Sequence, residues 1–61
     1  MDWLTDKIIE IIEDVVGGKV YSLFYNAEKR TYDVGFEKDY RLQQQEVSRD
    51  LIEERLRKEE R

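Results

Sequence analysis

Apolar residues recur at helical spacing from Leu4 to Val16 and then alternate with polar ones from Lys19 to Phe36, with Gly17-Gly18 standing between the two regimes. Leu4, Ile8, Ile11, Ile12 and Val15, joined by Ile9 and Val16, fall on an arc about 160° wide at the helical rotation of about 100° per residue. This arc predicts a core-facing helix over residues 2–16. Asp2 is placed to cap its start, Asp2 and Asp6 suit its positive end, and Gly17 suits the left-handed residue that closes it. Trp3 projects away from the arc and is the first candidate for an exposed apolar contact.

Beyond the glycines, Val20–Tyr25 and Thr31–Phe36 are rich in aromatic and β-branched residues and flank Asn26-Ala27-Glu28-Lys29. They predict a hairpin of strands 19–25 and 30–36. Pairing Tyr25 with Arg30 sets Leu23 opposite Tyr32 and Tyr21 opposite Val34. One face then gathers Tyr21, Leu23, Tyr25, Tyr32, Val34 and Phe36, whereas a slip of one residue would scatter them. Val20 and Phe24 lie on the other face with Ser22, Thr31 and Asp33.

Residues 37–48 admit two readings. In a single helix from Tyr40 to Glu60, Tyr40, Val47 and Leu51 would face one way and Leu42, Ile52 and Leu56 another, a split that one core does not cover. A third strand at 40–46 removes the conflict. A three-residue turn Glu37-Lys38-Asp39 would set Tyr40 opposite Phe36 and Leu42 opposite Val34, extending the apolar face across the meander. Ser48 then caps a second helix, 48–59, with Leu51, Ile52, Arg55 and Leu56 as its stripe. The expected architecture is a single two-layer α+β domain spanning 1–61, α-β-β-β-α, with α-β-β-α and one long C-terminal helix as the rival.

Composition narrows the chemistry. Cys and His are both absent from the 61 residues, so disulfide stapling and the best metal ligands are excluded, along with the commonest general base. A non-enzymatic chain without cofactor or metal is expected. Glu10, Glu13 and Asp14 spread over a helix face and lack the loop geometry of a calcium site. Gly17-Gly18 follows a helix instead of opening one, so it is a helix stop and not a phosphate loop. At this length burial and chain entropy nearly cancel, which leaves a partner subunit as the remaining source of stability. The chain has no apolar run long enough to span a bilayer and no leader pattern at its start, so a soluble, cytoplasmic protein is expected.

Residues 1–18 carry Asp2, Asp6, Glu10, Glu13 and Asp14 against Lys7, a local charge of -4 that equals the net charge of the whole chain. An acidic helix of this kind is ill suited to anionic lipid. The element order is similar to that of double-stranded RNA-binding domains, but no motif carries over. The bases of the second helix are each matched by a nearby acid such as Asp50, Glu53 or Glu54. The expected function is therefore protein–protein interaction: a small acidic regulator or inhibitor, of the kind phages and small bacterial operons encode, acting as a homodimer. Trp3, Val20 and Phe24 are the candidate interface, and Asp6, Glu10, Glu13 and Asp14 are a candidate acidic docking face. The main alternative is a nucleic-acid-binding module using Lys29, Arg30, Lys38 and Arg41 interleaved with Tyr25, Tyr32 and Tyr40. A structural or designed scaffold without a partner is the third reading.

Overall fold

The computed structural model describes residues 3–59 and has the expected order. Helix α1 (Trp3–Val16) is followed by strands β1 (Lys19–Asn26), β2 (Thr31–Lys38) and β3 (Arg41–Ser48) and by helix α2 (Arg49–Glu59). The strands form an antiparallel meander in the order β1-β2-β3. The expected cap Asp2 lies outside the described residues.

Each boundary has a local cause. Gly17 takes φ +72° and its N–H donates to the Glu13 carbonyl at 2.9 Å, which closes α1 in the left-handed manner expected of that residue. Gly18 is needed for a different reason, since a methyl group there would lie 2.5 Å from the Glu37 carbonyl oxygen. In the β1–β2 loop, Asn26 Oδ1 accepts hydrogen bonds from the N–H groups of Glu28 and Lys29, an Asx-type turn that holds Ala27–Arg30. Ser48 Oγ accepts from the Asp50 N–H at 3.2 Å and caps α2 as expected. The first N–H of that helix, from Arg49, reaches the Arg30 carbonyl at 3.0 Å and ties it to the first hairpin.

Both hairpin registers differ from expectation. Tyr25 pairs with Tyr32 and Leu23 with Val34, an offset of two residues from the Tyr25–Arg30 pairing. An even offset preserves faces, so Leu23, Tyr25, Tyr32, Val34 and Phe36 remain on the inner side. The β2–β3 turn holds two residues, Asp39 and Tyr40, both at positive φ (54° and 64°), instead of the expected Glu37-Lys38-Asp39. Lys38 therefore pairs with Arg41, and Leu42 lies opposite Glu37 and not Val34. That offset is odd and turns β3 over. Leu42 and Tyr40 leave the inner face, Gln43 and Gln45 occupy it, and Val47 enters the core.

A bulge in β1 is the third difference. The pairing shifts between Val20 and Ser22, leaving Tyr21 as an extra residue. Val20 is thereby aligned with Phe36 and packs against the core, while Tyr21 lies over Gly35 on the outer face. The two residues exchange the faces that strict alternation assigns them.

The core lies between the helices and the inner face of the sheet: Ile11, Ile12 and Val16 from α1, Val34 and Phe36 from β2, Val47 from β3 and Ile52 from α2. Ile8, Val15, Val20, Leu23, Tyr32 and Leu56 pack around it. Burying such side chains is worth roughly 1.5–3 kcal/mol each, the dominant favourable contribution in so small a domain. The polar rim adds an Asp14–Arg55 pair at 2.9 Å between the helices, and Arg49 lies over the Tyr25 ring while donating to its hydroxyl at 3.0 Å. The hydrogen bonds that Arg49 donates to Tyr25 and then to Glu53 raise its pKa above the ordinary value, so this side chain stays cationic.

Candidate docking surface

Both helices pack on the inner face, which leaves the outer face of the sheet uncovered. Its side chains form four rows across the strands: Asn26, Thr31 and Ser48; Phe24, Asp33 and Glu46; Ser22, Gly35 and Gln44; Lys19, Glu37 and Leu42. In the Ser22, Gly35 and Gln44 row Gly35 has no side chain, and the Tyr21 ring lies over it: a methyl group on Gly35 would meet Tyr21 Cζ at 3.0 Å. The result is an open depression of about 410 Å³ lined by Ser22, Phe24, Asp33, Gly35, Gln44 and Glu46. Phe24 in that lining, and Leu42 and Tyr21 elsewhere on the same face, are 69%, 71% and 55% exposed. Large apolar side chains grouped on one uncovered face are the usual mark of a contact surface.

The expected interface residues do not come together. Phe24 is on the outer face, Val20 is drawn into the core by the bulge, and Trp3, 65% exposed, belongs to the helix layer on the other side of the sheet. Tyr21 and Leu42 take the places that Val20 and Trp3 were expected to fill. The signal for Tyr21 was Gly35, since a glycine inside a strand marks a bulge or a close approach. Leu42 carried no such signal, because its face depends on the length of the preceding turn.

The acidic face of α1 is also divided. Glu13 turns its carboxylate back to accept the Val20 N–H at 3.0 Å, and Asp14 is paired with Arg55. Asp6 and Glu10 remain exposed. Among the described residues, no group of three or more acids is arranged to hold a metal ion, and no helix is long and apolar enough to cross a membrane.

The basic strand ends fall at opposite ends of the sheet. Lys29 and Arg30 are in the β1–β2 loop and Lys38 and Arg41 flank the β2–β3 turn, separated by the length of β2, roughly 25 Å for eight residues. Lys29 is paired with Glu46 at 3.5 Å. Tyr25 and Tyr32 are half-buried and packed together, ring centroids 5.0 Å apart, leaving only Tyr40 of the three tyrosines fully presented to solvent.

Comparison with protein-family models, with curated proteins and with solved structures finds no match to this chain in any of the three.

Proposed function

We propose that the chain is a non-enzymatic protein-interaction module, a small acidic regulator or inhibitor that docks on a larger host protein through the outer face of its sheet. The observation that carries this reading is the exposure of Phe24, Tyr21 and Leu42 on a face that no element among the described residues covers. The remaining exposed acids of α1, Asp6 and Glu10, lie in the other layer and contribute long-range steering toward a basic host instead of contact. Affinity capture tests it with immobilised wild-type chain beside Phe24→Asp. The variant, checked for native circular dichroism, is expected to lose the protein that wild type retains. Equal capture by both refutes the reading.

A homodimer is the second reading, supported by the open edge of β3. That strand runs for eight residues without proline or bulge, and Gln43-Gln44-Gln45 offers neutral amides that both donate and accept. Two copies pairing edge to edge would continue the sheet. Sedimentation equilibrium decides it, because a monomer at high micromolar concentration removes it. The nucleic-acid alternative lacks a continuous basic surface, and undetectable binding at low salt would eliminate it.

A further inference from the structure

We infer that the depression beside Phe24, Asp33 and Glu46 receives an arginine side chain from a segment of a partner protein, an inference that rests on the docking reading above. Phe24, Asp33 and Glu46 are direct cross-strand partners, so a phenyl ring and two carboxylates stand side by side across three strands, with neighbours about 5 Å apart. The Asp33 carboxylate makes no hydrogen bond or ion pair among the described residues, and the pairing of Glu46 with Lys29 at 3.5 Å is exposed and easily exchanged. Beside this row the open depression is bordered by Ser22 and Gln44, with Gly35 itself buried under the Tyr21 ring. A guanidinium is planar, stacks on aromatic rings and presents a fork of donors that matches carboxylates. Ring and carboxylates together suit arginine better than lysine.

Charge also selects among occupants. The central strand carries Asp33 and Glu37 on either side of Gly35, so two copies stacked face to face with aligned sheets would bring β2 carboxylates against β2 carboxylates. A phosphate backbone would meet the same acids. A basic segment with an apolar neighbour to cover Phe24 or Leu42 satisfies both the charge and the apolar rim.

The probe is an acetylated, amidated nonapeptide of alternating arginine and leucine, with a twin in which citrulline replaces arginine at the same shape and no charge. Amide shifts of Ser22, Asp33, Gly35 and Gln44 are expected on titration with the arginine peptide, and the citrulline twin is expected to bind at least tenfold more weakly. Asp33→Asn combined with Glu46→Gln should cost a similar factor, while Glu10→Gln on the helix layer should change affinity less than twofold. Absence of binding at millimolar peptide, equal binding of the citrulline twin, shifts centred elsewhere, or an equal loss from Glu10→Gln would each overturn the inference. Should capture of a host protein depend on Phe24 but not on Asp33 and Glu46, the docking reading stands and the arginine site alone falls.

Discussion

Replacing Tyr40 with glycine is expected to stabilise the domain. Tyr40 occupies the second central position of the β2–β3 turn at φ 64°, where its Cβ crowds the backbone, and its side chain is fully exposed with no packing to lose. Holding an L-residue in the left-handed region costs roughly 1–2 kcal/mol, and glycine removes that strain. Against this, glycine raises the entropy of the unfolded chain, which costs about 0.4–1 kcal/mol. The net gain is about 0.5–1 kcal/mol, or a rise of roughly 2–8 °C in Tm for a domain of this size. Asp39, at φ 54°, is better suited to its place because a short polar side chain tolerates this region, so Asp39→Gly should gain less. Urea unfolding followed by circular dichroism measures the difference, with an unchanged m-value confirming that the unfolded state is comparable. A Tyr40→Gly protein that keeps its fold but shows equal or lower stability would refute the assigned turn and, with it, the pairing that places Leu42 outside.

The adjacent glycines before β1 should respond differently to alanine. Gly18→Ala places its methyl group 2.5 Å from the Glu37 carbonyl oxygen and 2.9 Å from Phe36 Cδ2. Overpacking of this kind costs about 1–3 kcal/mol, whereas Gly17→Ala meets only the flexible end of Lys38 and loses about 1 kcal/mol to its positive φ; paired chemical melts should therefore rank Gly18→Ala as the worse. Ile12→Ala, at a fully buried position, should cost about 2–5 kcal/mol against a total of roughly 3–9 kcal/mol for a chain this long, so a thermal scan should show a domain near or past its limit at 25 °C. Glu13→Ala orphans the Val20 N–H at the bulge and should cost about 1–2 kcal/mol, with Glu13→Gln costing less because its amide oxygen still accepts; equal losses from the two would show that the hydrogen bond is not the cause.

Element order and boundaries were legible because each rests on local chemistry: a change of hydrophobic period at Gly17-Gly18, a conflict of faces that removed the long C-terminal helix, and Ser48 as a cap. What the sequence concealed was the join between elements. Asn26 organises a loop that ends at Arg30, one residue later than expected, and Asp39-Tyr40 makes a tight turn without the Asn-Gly signature that usually announces one. Strand pairing converts a miscount in a turn into a choice of face, which is why Leu42 was misplaced although its strand was placed to within two residues. Of the candidate contact surface, Phe24 was readable from alternation alone. Tyr21 needed the bulge, and the bulge is inseparable from its cross-strand neighbour Gly35.

Among the described residues, the seven buried apolar side chains of the core are drawn from the first helix, the second and third strands and the last helix, so the inner layer is completed only when both helices arrive. Either hairpin alone would have its apolar side bare to water, and deleting α2 would take Ile52 and Leu56 out of the core cluster. The molecule is thus indivisible: truncation from either terminus should yield an unfolded fragment and not a smaller native one, and its denaturation should proceed as a single cooperative event.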